Sequence, residues 1–140
     1  SIDGMDAAVH ILNTGVPHAV VFTDDLENFD VLGHGAAIRY HDHFAPNGTN
    51  ANFASILGDQ HIAIRTYERG VEGETLACGT GMTACALIHH LLNGTPSPIS
   101  VDVEGGETLE IGFVPTPNNS FTSVTLTGPA DFVFQGEITL

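Results

Sequence analysis

The chain has 140 residues, 42% of them apolar, with no Lys or Trp and only three Arg: Arg39, Arg65 and Arg69. This is enough for one domain with a hydrophobic core, and it excludes a disordered composition. A formal net charge of −14 repels phosphate backbones and anionic membrane surfaces, so no nucleic-acid partner is expected.

From the N-terminus, Ser1 to Asp6 lacks the basic-then-apolar pattern of a signal peptide, and no later apolar run is long enough to span a bilayer. His18-Ala19-Val20-Val21-Phe22 is a short apolar run that predicts a buried strand. Asp24 to Asn28 offers turn and capping residues, and a short helix is predicted from Val31 to Arg39, weakened by Gly33 and Gly35. Phe44 to Asn52, with Pro46, Asn47, Gly48 and Asn50, reads as a turn-rich loop. His61 to Tyr67 is strand-like, with Ile62 and Ile64 on one face. A helix is predicted from about Gly79 to Leu92, ended by Asn93-Gly94 and kept from resuming by Pro96 and Pro98. Met82, Ala84 to Ile88, Leu91 and Leu92 cover nearly its whole circumference, and a helix apolar all round is buried. His89 and His90 near its C-terminal end suit the dipole there, or simple exposure, better than a metal site. Strand signals follow: 99–103 and 108–114 flank a hairpin at Glu104 to Glu107, and 121–127 and 132–134 flank Gly128-Pro129. The expected fold is α+β, a curved, mostly antiparallel sheet wrapped round one central apolar helix, in a single domain over residues 1–140.

The segment Tyr67 to Gly81 concentrates the chemistry. It sets Cys78 at the mouth of the apolar helix, behind glycines, where the positive end of the helix dipole stabilises thiolate. The same N–H groups can hold a carboxylate. An acid/base thiol beside a carboxylate cradle suits chemistry at the α-carbon of an amino acid. A Gly-rich turn with a buried cysteine fits the local pattern equally well. Cys78 and Cys85 are the only cysteines. They lie about two turns apart on one predicted helix, too far for a disulfide, and too few for a Cys-rich zinc site. A reducing compartment with free thiols is the expectation. Each arginine in so acidic a chain reads either as held for a specific carboxylate or as half of a structural ion pair.

Glu68-Arg69-Gly70 followed by Glu74-Thr75-Leu76-Ala77-Cys78-Gly79-Thr80-Gly81 resembles the C-terminal half of the diaminopimelate epimerase family. Gly15-Val16-Pro17-His18 resembles that family's Gly-Asn-Pro-His turn, and Phe44 through Asn50 to Phe53 its asparagine-bearing loop. The ending Gly128-Pro129-Ala130 to Phe134, with Gly136 and Ile138, also fits, so the resemblance covers nearly the whole chain. It implies a cofactor- and metal-free enzyme of two similar halves, each a sheet around a helix, with the substrate between them. Each half supplies one cysteine. One thiolate removes the α-proton, and the other thiol returns a proton to the opposite face. Inverting a stereocentre by proton transfer needs two such groups, and without an electron sink the developing charge must meet preorganised donors.

By the same resemblance Cys78 is one of the pair and His18 supports catalysis near the thiols. Glu68 lies close to the catalytic pair and holds the substrate's ammonium group. Arg69 clasps the distal carboxylate, Asn50 binds the distal amino-acid group, and Gly79 and Thr80 bind the α-carboxylate. The implied reaction converts LL- to meso-diaminopimelate for lysine and cell-wall synthesis in the cytoplasm. Two departures stand out. Val16 replaces an asparagine that would hydrogen-bond the distal end of the substrate, which implies looser selection there. The family's other half, with its second catalytic cysteine, is not visible, and Cys85 inside the helix reads as core. The expectation is a C-terminal half, inactive alone, that partners the missing half and an amino-acid substrate; its orphaned apolar face would favour a homodimer. Three alternatives stay open: a racemase of the same fold acting on glutamate, aspartate or proline; a thiol hydrolase using Cys78 and His18; and a non-catalytic binding domain.

Overall fold

The computed structural model describes residues 8–76, 79–104, 106–117 and 120–128, and the backbone of 132–139. Strands β1 (His10–Asn13) and β2 (Pro17–Phe22) form a hairpin, followed by helix α1 (Val31–Arg39) and a short 3-10 turn (Asp42–Phe44). Next come β3 (Asn50–Gly58), β4 (His61–Glu68), the short β5 (Gly73–Thr75) and helix α2 (Gly79–Asn93). Strands β6 (Ile99–Asp102), β7 (Thr108–Pro115), β8 (Ser120–Thr127) and β9 (Phe132–Thr139) complete the described chain.

All the strands join one sheet in the order β1-β2-β3-β4-β6-β7-β8-β9, with β5 paired to β4. Pairing is antiparallel except for β2 with β3 and β4 with β6. Each parallel pair is the exit and return of a helix: α1 connects β2 to β3, and α2 lies between β4 and β6. A parallel strand pair needs such a crossover.

Alternation along the strands splits the core in two. Val20, Ala54, Ile62 and Ile64 point to one face, where they pack with Ile99, Val101, Ile111, Phe121 and Leu126 around α2. Ala19, Val21, Ala51, Phe53 and Tyr67 point to the other, beneath Val31 and Ile38 of α1. Residues Gly81 to His89 of α2 are all buried, as an apolar helix requires, but Leu91 and Leu92, counted in the same apolar surface, are exposed in its last turn. Each Leu or Ile side chain so enclosed contributes about 1.5–3 kcal/mol. The expected α+β architecture, a curved and mostly antiparallel sheet around a central helix, is the one observed.

Helix α1 spans the residues predicted. The Asp30 carboxylate caps it by accepting from the Gly33 N–H at 2.9 Å. Gly35 has a packing role: a Cβ there would stand 2.5 Å from Tyr67 Cβ. The hairpin between β6 and β7 is also present, closed by the Val103 N–H on the Glu107 carbonyl.

Two expectations are corrected. The loop predicted from Phe44 to Asn52 ends earlier, because Asn50 already opens β3 in parallel register with His18. His89 is not exposed at the helix end but buried, its ring bonded to the Asp59 carbonyl and to the Asn93 side chain. Cys85 is buried in the core, as expected. Among the described residues no helix is long and apolar enough to cross a membrane.

Candidate active site

Ala77 and Cys78 lie outside the described residues; the helix that follows them starts at Gly79. The other predicted site residues lie at the ends of four elements, with Arg69 just after one of them. His18 is the second residue of β2, Asn50 the first of β3, Glu68 the last of β4, and Gly79 and Thr80 the first two of α2. Strand register sets His18 beside Asn50, and α2 lies against β2 across the same face of the sheet.

His18 is fully buried. Its Nε2 lies 3.0 Å from the Thr80 hydroxyl and its Nδ1 3.0 Å from Asn52 Nδ2. Burial, reinforced by the positive charge of Arg69, lowers its pKa from the ordinary 6.5 to about 4. The ring is therefore neutral at physiological pH. Thr80 is held a second time, by the Thr14 hydroxyl donating to its carbonyl at 2.9 Å.

Asn50 is buried and ties two of the motifs together. Its Oδ1 accepts from the Arg69 N–H at 2.8 Å, and its Nδ2 donates to the Pro17 carbonyl at 3.2 Å. The asparagine loop, the turn before His18 and the Glu68-Arg69 pair are thus one constellation. Glu68 accepts from the Thr75 hydroxyl at 3.2 Å.

Two of the three arginines take the ion-pair role that the sequence left open. Arg39 forms a two-pronged pair with Glu72, and Arg65 with Glu74, so both are structural. Among the described residues Arg69 has no carboxylate partner; its guanidinium reaches the carbonyls of Asn47 and Gly48 at 3.3 and 3.4 Å.

Sequence reasoning missed Asn52, fully buried between His18, the Ala19 carbonyl and Thr66. A signal was present: Asn50 and Asn52 sit two apart around Ala51, and Phe53 follows, the alternation of a strand with one polar edge. A Cβ on Gly81 would stand 2.8 Å from Asn52 Oδ1 and 3.3 Å from His18 Cε1. Gly81 therefore lets α2 close onto this pair. A cavity of about 420 Å³ elsewhere, lined by Asp24, Leu26, Glu27, Ser55, Arg65 and Glu104 among others, includes none of the predicted site residues.

The family model for diaminopimelate epimerase matches residues 10–133. The chain belongs to the diaminopimelate epimerase family. It is 44% identical over 139 residues to the diaminopimelate epimerase of Aquifex aeolicus, covering 99% of this chain and 48% of that protein. It is 49% identical over 128 residues to that of Flavobacterium psychrophilum, covering 91% and 49%. With the enzyme of Archaeoglobus fulgidus the identity is 46% over 138 residues, covering 99% and 46%. The chain spans about half the length of these curated relatives. The fold is similar to that of a Bacillus anthracis phenazine biosynthesis protein of the PhzF family, with a TM-score of 0.54 at 15% identity, over 86% of this chain and 38% of that one. For a member of the diaminopimelate epimerase family, the motifs from Gly15 to His18, around Asn50 and at Glu68-Arg69 lie together rather than scattered.

Proposed function

We propose that this chain supplies one acid/base thiol, Cys78, and part of the substrate site of a cofactor-independent epimerase that interconverts LL- and meso-diaminopimelate. The observation that carries the reading is the run of bonds that links His18 to Thr80 at the head of α2 and Asn50 to the Pro17 carbonyl and the Arg69 N–H; Cys78 is the residue before that helix. In this reading Arg69, which has no carboxylate partner among the described residues, holds the substrate's distal carboxylate. Asn50 and Glu68 position its amino groups. The N–H groups of Gly79 and Thr80 receive the α-carboxylate, whose charge grows as the α-proton leaves. Val16 offers no hydrogen bond to the distal group, so selection there is looser; Val16→Asn in the active protein would narrow the substrate range.

Inversion needs a second acid/base group on the opposite face. Cys85 is enclosed in the core, so the second thiol comes from outside these 140 residues. The chain alone is then inactive, and the working enzyme is a cytoplasmic one whose site closes between two halves. A Cys–His hydrolase is disfavoured, because it needs a histidine that takes up the thiol proton. Both ring nitrogens of His18 are already engaged, and its pKa is lowered to about 4.

The test is α-proton exchange of LL-diaminopimelate in deuterated buffer with reductant. This chain alone is compared with the chain joined to the N-terminal half of a relative. Deuterium incorporation by the joined protein only, abolished by Cys78→Ala, is the expected result. No incorporation by the joined protein would remove the epimerase reading.

A further inference from the structure

Behind Thr80 runs a line of buried polar side chains, one from each of three neighbouring strands. Thr66 of β4 and Asn52 of β3 are directly opposed in the antiparallel register, and the Thr66 hydroxyl donates to Asn52 Oδ1 at 2.9 Å. On its other side the Asn52 amide faces two atoms of β2: the Ala19 carbonyl at 3.1 Å and His18 Nδ1 at 3.0 Å. His18 Nε2 continues the line to Thr80 on α2. Asn52 and His18 are fully buried, and Thr66 nearly so.

The direction of every bond in this line follows from one of its members. A backbone carbonyl only accepts, so the Ala19 oxygen must face the NH₂ end of the Asn52 amide. Thr66 meets the oxygen end, consistent with that orientation. The same NH₂ group therefore donates its second proton to His18 Nδ1. A neutral imidazole carries one proton; with Nδ1 an acceptor, it sits on Nε2. The His18 N–H then points at the Thr80 hydroxyl, which accepts.

We propose that Asn52, braced by Thr66, is a positioning residue of the site: it locks His18 as the Nε2–H tautomer and aims that N–H at Thr80. This rests on the epimerase reading for its functional consequence. His18 then works as a neutral hydrogen-bond donor that fixes Thr80 at the α-carboxylate end of the site, two residues from Cys78, and not as the acceptor of a thiol proton. Gly81 belongs to the same device, since any side chain there would intrude on Asn52 and His18. A purely structural Asn52, tying β2 to β3 through the Ala19 carbonyl, would affect stability and leave the tautomer alone.

The test is a long-range ¹H–¹⁵N spectrum of the ¹⁵N-histidine-labelled chain at neutral pH, with His18 assigned by its loss in His18→Gln. The expected pattern is protonated Nε2 and unprotonated Nδ1. A protonated Nδ1, or a mixture of tautomers, would overturn the proposal without any variant being needed. Asn52→Asp replaces the donor facing Nδ1 by an acceptor, and the ring proton should move to Nδ1; Asn52→Leu should give a mixture. Retention of the wild-type pattern in either variant would count against the proposal; if neither folds, the wild-type spectrum decides. In the joined two-half protein, Asn52→Asp should lower kcat for proton exchange by about tenfold or more, as a wrong tautomer does elsewhere, with KM little changed. A reversed tautomer with unchanged kcat would refute the functional consequence and leave the epimerase reading intact. Absence of exchange in the wild-type joined protein would remove that reading, and the spectrum would still decide the tautomer.

Discussion

Acid should destabilise this fold through His18 before most carboxylates matter. The group has an ordinary pKa of 6.5, which it regains in the unfolded chain, and about 4 in the folded one. Between those values the unfolded state binds more protons, so stability rises with pH. The contribution is fully present above the unfolded pKa and is lost as pH falls towards the folded one. With those two pKa values, going from about pH 7 to about pH 5 costs about 2 kcal/mol, and the full loss below about pH 4 is about 3 kcal/mol. The assay is urea unfolding at a series of pH values for wild type and His18→Gln. Gln does not titrate, so the difference between the two curves isolates His18 from the other histidines and the carboxylates. At a slope typical of a small domain, about 2 kcal/mol moves the wild-type midpoint down by about 1–2 M urea relative to the variant. The variant is less stable at neutral pH, since it loses the bonds to Asn52 and Thr80, but its profile over this window is flatter. Parallel midpoint profiles for the two proteins would refute the reasoning, because they would mean that His18 takes up its proton as readily in the folded chain.

Gly81→Ala forces a methyl against Asn52 and His18 at 2.8 and 3.3 Å. It should cost about 1–3 kcal/mol by overpacking, read as a lowered urea midpoint at unchanged slope. A neutral substitution would mean that α2 can shift away from β2 and β3 without penalty. Asp30→Ala removes the cap on α1 and should cost about 1 kcal/mol, while Asp30→Asn should cost far less; equal losses in both would show that charge matters there and capping does not.

Helix α2 was legible because its apolar residues leave no polar face, and such a helix has only one place to go. Helix α1 lies where the sequence put it, from Val31 to Arg39, but its cap is Asp30 and not a residue of the Asp24 to Asn28 stretch; the structure explains Gly35 by the Tyr67 side chain it admits. Strand β3 was hidden for a physical reason. Asn, Gly and Pro are poor strand residues, so the run through Asn50 and Asn52 looked like a turn. What holds Asn50 and Asn52 in a strand is tertiary: the parallel register with β2 and the buried bonds to Pro17, Ala19 and His18. No local window contains those partners. The same limit made His89 look exposed, since its partner Asp59 lies thirty positions away. Strand β1, with four residues at the sheet edge, and β5, with three, are too short to show a period.

The charge of the chain also bears on which substrate the proposed site favours. At −14 its long-range field opposes any net anion. Diaminopimelate carries two ammonium and two carboxylate groups and is neutral overall; glutamate and aspartate carry a net negative charge. In the proposed site, Arg69, which also lowers the His18 pKa, and the head of α2 would hold a carboxylate of either kind. The approach differs, because only the glutamate and aspartate anions are repelled by the charge that this chain carries. Salt screens that potential, with a Debye length of about 30 Å at 0.01 M and about 8 Å at 0.15 M. In the joined two-half protein kcat/KM for diaminopimelate should therefore change little over that range. Any activity on glutamate or aspartate should rise with salt. A joint fall would mean instead that Arg69 and its neighbours dominate the approach of both substrates, and that the acidic surface has no part in selection.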